Sequence, residues 1–181
     1  AKKEICGWSH INKSSLPITI IPCCTDTTLF DRQKVKAESL QKARENLGIK
    51  PDEIVLTYLG SIGTWYLLDE MLAFFSVYLE KFPTAKFLFI TQDKSGEIHS
   101  KARTAGIPTD RILIVSSERA SVPIYVLLGD YSIFFIRPSF SKMSSSPTKQ
   151  GELMALGIPV ICNSGVGDTD MIVGKYDSGL I

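Results

Sequence analysis

Histidine is scarce in this chain: His10 and His99 are the two it has, far apart in sequence. The four cysteines, Cys6, Cys23, Cys24 and Cys162, include no C-x-x-C pair. That spacing gives no zinc signature. Adjacent Cys23 and Cys24 make an awkward disulfide pair, so free thiols in a reducing compartment are expected. No apolar run is long enough to cross a bilayer. No signal-peptide pattern is visible at the start, which lacks Met and reads as the start of a fragment. An excess of one charge is also missing. The 20 Lys and Arg against 19 Asp and Glu leave a net charge of +1. That balance makes no case for a nucleic-acid groove or an anionic membrane surface. What remains is 181 residues, 44% hydrophobic and 22% charged, ordinary for one globular domain with a sizeable core.

The apolar residues fall into short runs separated by helix-length segments. "EIVLTYLG", "AKFLFITQ", "DRILIVSS", "YSIFFIRP" and "PVICN" read as strands, and "SGLI" as a further, central one. "RQKVKAESLQKARENLGI", "TWYLLDEMLAFFSVYLEKF", "SGEIHSKARTAG" and "SVPIYVLLGD" read as helices. The segment "SGVGDTDMIVGKYD" reads as a loop. Residues 1–16 are polar and irregular, and "LPITIIP" is a short strand stopped by Pro22. Continuous apolar strands alternating with helices imply parallel βαβ units covered on both faces. The fold class is α/β, a Rossmann-like doubly wound parallel sheet. Ligands of such sheets bind beyond the carboxyl ends of the strands.

Two places carry candidate chemistry. Gly60-Ser61-Ile62-Gly63 follows the first core strand, where glycines let backbone approach a phosphate or sugar, although a tight turn would want them as well. It is not G-x-G-x-x-G, and the next strand ends in Gln92 before Asp93, so the dinucleotide signature fails. The second place is Ser144-Ser145-Ser146-Pro147-Thr148-Lys149-Gln150-Gly151-Glu152, a hydroxyl-rich loop running into a helix that Gly157 ends. Pro147 suits a helix start. The free N–H groups and dipole there favour an anion. Lys149 and Glu152 are one turn apart and share a face. A cation there can meet phosphate, and a carboxylate can accept from sugar hydroxyls. The plainer reading of Glu152 is a first-turn capping residue.

"SPTKQGELMALGIPVICN" resembles the donor-binding segment of GT-B glycosyltransferases, in particular the group 1 (GT4-like) family, whose helix carries a Glu followed by A-x-G-x-P-V. Pro22, Asp26 and Phe30 resemble that family's hinge, with Cys24 and Thr25 in place of its usual Gly and Val. The resemblance implies the C-terminal half of a GT-B enzyme with three αβα layers. Residues 1–30 would be the hinge from an N-terminal acceptor domain missing here. Residues 31–181 would be the nucleotide-sugar-binding domain, cut short at its C-terminal end. It further implies transfer, with retention at the anomeric carbon, from a UDP- or GDP-type sugar to a saccharide or lipid-linked acceptor. No cofactor or metal would be needed, and the enzyme would be cytoplasmic, with a peripheral place on the inner face of the membrane as the alternative. A fragment of this kind would bind donor without turning over. Trp8, Phe140 and Met143 are candidates for an acceptor- or membrane-facing surface, with no pattern to support it.

On the family pattern Glu152 holds the ribose hydroxyls, and Lys149 is the remaining phosphate cation. The pattern's first Glu falls on Ser144. Its loop Arg and Lys fall on Ser61 and Trp65. Gly60, Ser61 and Gly63, Ser117 of the loop facing the nucleobase, and Ser146, Pro147, Thr148 and Gln150 complete the expected donor site. Lys149 and Glu152 are the expected catalytic pair. Arg137, at a strand's carboxyl end, could touch phosphate or acceptor. Asp168-Thr169-Asp170 is a D-x-D, more simply a turn or helix cap. Two other readings stand beside the transferase: a GT-B-related nucleotide-sugar epimerase, and a non-catalytic Rossmann-like module that binds nucleotide or a partner.

Overall fold

Runs of Val, Ile, Leu and Phe with no polar alternation make strands that need cover on both faces. The computed structural model describes residues 2–8 and 17–181. Among them six strands form one sheet: β1 (Val55–Leu59), β2 (Lys86–Ile90), β3 (Ile112–Val115), β4 (Tyr131–Phe134), β5 (Val160–Cys162) and β6 (Gly179–Leu180). Their order is β3-β2-β1-β4-β5-β6, and every pairing is parallel. All of β2 and the first four residues of β1 are buried. The helices are α1 (Lys2–Gly7), α2 (Ala37–Asn46), α3 (Leu68–Lys81), α4 (Ser95–Thr104), α5 (Val122–Val126), α6 (Thr148–Ala155) and α7 (Thr169–Tyr176). Helix α3 packs on α4 and α2 on α5, two layers flanking the sheet. The expected α/β Rossmann-like class is what the chain adopts.

The core follows from helical spacing set against strand faces. Leu68, Met71, Leu72 and Phe75 fall at i, i+3, i+4 and i+7 along α3, and all four are buried. The Phe75 ring lies 5.1 Å from that of Phe87, which lies 4.2 Å from that of Phe89. The chain moves outward from β1 to β2 and β3, then returns to β4 on the other side of β1. That reversal places a crevice at the carboxyl ends of β1 and β4. The β1–β4 register is short, and side chains reinforce it. The Ser132 hydroxyl donates to Thr57 O at 3.1 Å, and Asp130 accepts from Val55 N at 2.8 Å.

Several boundaries differ from the sequence reading. Trp65 and Tyr66 were expected inside a helix, but α3 begins at Leu68. Tyr66 instead forms an antiparallel bridge with Ile136, and Arg137 N donates to Trp65 O at 2.8 Å. Aromatic residues suit an extended backbone, and the end of β4 offers them a partner. Residues 17–22 form no strand, and Ile20 and Ile21 are exposed. Residues 2–7, expected to be irregular, are helical. The segment taken for a loop contains α7, with Thr169 and Val173 buried one turn apart. Strand β6 lies at the sheet edge rather than in its centre. The expected stop of α6 is present: Gly157 sits at φ +71, and Ile158 N donates to Leu153 O at 3.0 Å, closing the last turn.

Candidate functional site

Helix α6 begins at the carboxyl ends of the strands, capped by Pro147 without a side-chain hydrogen bond. Gln150 N donates back to Pro147 O at 3.0 Å, whereas the N–H groups of Thr148 and Lys149 have no carbonyl one turn back to bond. Lys149 leaves this turn and runs under the loop after β1. Gly60, at φ +122, has no Cβ; one built there would lie 2.8 Å from Lys149 Nζ. A side chain there would press on the ammonium, and the positive φ itself favours glycine. The ammonium lies 3.8 Å from the centre of the Tyr66 ring and 4.5 Å from that of Tyr58, and donates to Tyr58 Oη at 3.4 Å. Cation–π contact replaces part of the water it has lost. Burial still dominates and pushes its pKa down to about 7, with Glu152 pulling the other way. Tyr58 in turn donates to Ser61 O, and burial raises its phenol far above the ordinary range. Asp93 accepts from Ile62 N at 2.5 Å and fixes the other side of the loop.

Glu152 is 4% exposed and faces Arg119, whose Nη2 donates to Oε1 at 2.5 Å. Arg119 follows the β3 loop in the short 3₁₀ turn Arg119–Ser121. Its guanidinium also lies 5.1 Å over the Phe30 ring. One side chain thus ties α6, the β3 loop and the segment before α2 together.

The expected site residues divide into groups. Gly60, Ser61 and Ser117 line one cavity of about 210 Å³ with Gln92. Gln92 Nε2 donates to Ser117 O at 2.6 Å and Gln92 Oε1 accepts from Ser116 Oγ at 2.6 Å. Ser61 and Gly63 also open onto a wider depression of about 530 Å³ shared with Arg137. Ser146, Pro147 and Gln150 lie elsewhere, around a cavity of about 320 Å³ with Cys23 and Met171. The Ser146 hydroxyl is already engaged, donating to Asp168 Oδ2 and accepting from Cys23 N, both at 2.9 Å. Gln150 is buried with both amide atoms unpaired. Thr148 is exposed on the first turn. Lys149 and Glu152 line none of these three cavities; each is covered, one by Gly60 and the other by Arg119.

The D-x-D pair does structural work. Asp168 holds Ser146, and Asp170 accepts from Gly165 N at 3.3 Å. Among the described residues no three His, Cys, Asp or Glu side chains converge as metal ligands. His99 is half-buried on α4, and His10 lies outside the described residues. The four cysteines carry no disulfide, and burial pushes the Cys162 thiol up to about 11. Sequence reasoning missed Tyr58, Tyr66, Asp93 and Arg119. A β-strand tyrosine and a loop arginine carry no signal of what they will face.

No protein-family model matches the chain, and no curated protein matches its sequence. Solved structures match its fold, which is that of the GT-B C-terminal domain of group 1 glycosyltransferases. A glycosyltransferase from Rickettsia africae ESF-5 aligns at TM-score 0.75 and 13% identity, over 99% of this chain and 46% of that one. WaaG, a glycosyltransferase involved in lipopolysaccharide biosynthesis, aligns at 0.69 and 18%, over 90% and 42%. The C-terminal domain of LpcC, a group 1 family glycosyl transferase from Francisella tularensis, aligns at 0.61 and 17%, over 87% and 79%. The chain therefore spans less than half the length of the first two.

Proposed function

We propose that this chain is the nucleotide-sugar-binding part of a glycosyltransferase, one that moves a sugar from a UDP- or GDP-type donor to a saccharide or lipid-linked acceptor. The observation that carries the reading is the approach of Lys149 Nζ to Gly60 at the crevice between β1 and β4, with Glu152 one turn further along α6. A diphosphate resting against Gly60 would have no side chain between itself and the ammonium. The N–H groups of Thr148 and Lys149 at the start of α6 would add to the same anion site. Charge that builds on the leaving phosphate during transfer would be met by Lys149, the term that matters most for such a step. An arriving diphosphate would raise the lysine's depressed pKa and keep it protonated. Glu152 would accept from the ribose hydroxyls. Ser61 and Ser117 would line the donor's path, and retention is the expected stereochemistry. The acceptor would approach from a second domain.

Calorimetry with UDP, GDP, UMP and NAD tests the reading. UDP or GDP should release heat, and Lys149→Ala or Glu152→Ala should abolish it. NAD binding, or no nucleotide binding at all, overturns it. One observation favours a second reading, a non-catalytic binding module: both key side chains are covered, Lys149 by Gly60 and Glu152 by Arg119.

A further inference from the structure

The Arg119–Glu152 pair is unequal. Glu152 is 4% exposed, whereas the side chain of Arg119 is 61% exposed. If the pair opens, the guanidinium passes into water and loses little. The carboxylate has no such refuge, and an unpaired buried charge is strongly unfavourable. The pair therefore opens readily only when another donor group arrives at Glu152 as Arg119 leaves. Two vicinal hydroxyls are such a group, since each can donate to one carboxylate oxygen. Arg119 also has somewhere to go. It already rests over the Phe30 ring, and it stems from a loop adjoining the Ser117 cavity.

We infer that Arg119 is a displaceable latch on Glu152, a stand-in for the ligand's hydroxyls that the nucleotide's ribose diol must exchange out. This rests on the nucleotide-binding reading above and adds to it a residue that sets affinity and hydroxyl selectivity. Arg119 here is a positioning residue; it acts through Glu152. The latch explains why the carboxylate is covered in the free chain without making the site inert. It also makes an unusual demand. Removing Arg119 should weaken the free fold, because Glu152 is left unpaired, and should strengthen binding, because the ligand then restores what was lost.

The experiment is calorimetric titration of the chain with UDP and GDP, and with their 2′,3′-dideoxy forms, against the parent, Arg119→Ala, Arg119→Gln and Arg119→Ala/Glu152→Gln. Arg119→Ala and Arg119→Gln should melt earlier than the parent without ligand. They should bind the ribonucleotide about tenfold tighter. The dideoxy forms should show no such gain, and neither should the double variant. A purely supporting arginine would lower the melting temperature and leave affinity unchanged or weaker, and that outcome overturns the latch. An equal gain for the dideoxy forms overturns it too, since the exchange would then not involve the diol. If the parent binds UDP or GDP, the nucleotide reading stands whatever Arg119 does. If neither the parent nor any variant binds either nucleotide, that reading fails and the latch falls with it.

Discussion

The Lys149 ammonium lies between two tyrosine rings under a glycine, and its protonation couples to folding. Its ordinary pKa is 10.5, and burial brings it to about 7. Below that lower value both folded and unfolded chains hold the proton, the folded chain at the cost of a buried charge. Between the two values only the unfolded chain holds it. The unfolded state then binds more protons, so stability rises with pH through this window, by at most about 1.4 kcal/mol per pH unit. Urea midpoints measured at pH 6 and pH 9 should therefore climb for the parent. In Lys149→Met, which keeps the stem and removes the charge, that rise should vanish and stability at pH 6 should increase. The lysine was legible in the sequence as a cation on the first turn of a helix. Its burial was not, because that depends on Gly60, Tyr58 and Tyr66, which the fold brings to it from elsewhere.

At the scale of elements, the glycine loop and helix α6 form the proposed site together. The loop is held by Asp93, which accepts from Ile62 N. Asp93→Ala should leave that amide without its acceptor and cost about 1.5–3 kcal/mol, the range for a hydrogen bond to a charged group. Hydrogen exchange should report it locally: the Ile62 amide exchanges faster, while the β2 amides lose protection only as far as global stability falls. Helix geometry explains why the expected site residues part company. Lys149 and Glu152 are three residues apart and share a face, whereas Gln150 is turned about 100° from Lys149. Gln150 consequently faces the cavity shared with Met171, and Ser146 binds Asp168. The helix was readable from Pro147 and Gly157. Which strands and loops its faces would meet was not. Helix α7 was missed because Gly165, Gly167, Asp168 and Asp170 at its start masked the spacing of Thr169 and Val173. The Trp65–Tyr66 segment was misplaced because its partner, Ile136, lies far along the chain.

For the molecule as a whole, the central strands carry the stability. Phe87 is fully buried, with Phe75 and Phe89 against it. Phe87→Ala should cost about 3–5 kcal/mol, a large part of the 5–15 available to a domain. Denaturant unfolding should show the loss, and the nucleotide binding proposed at the far end of β1 should weaken only as far as the folded fraction falls. A loss of binding with stability intact would mean that the core shapes the crevice directly.

The sequence by itself determined the α/β alternation, the parallel sheet and the helix carrying Lys149 and Glu152. Those depend on local periodicity, on proline and glycine at helix ends, and on apolar runs that must be covered on both faces. Only the tertiary structure decided that Lys149 would be buried beneath Gly60 and that Arg119 would cover Glu152. Both contacts join residues from separate elements, 33 positions apart for the ion pair. No local pattern encodes such a meeting, because it is set by strand order and by how each helix is rotated against the sheet.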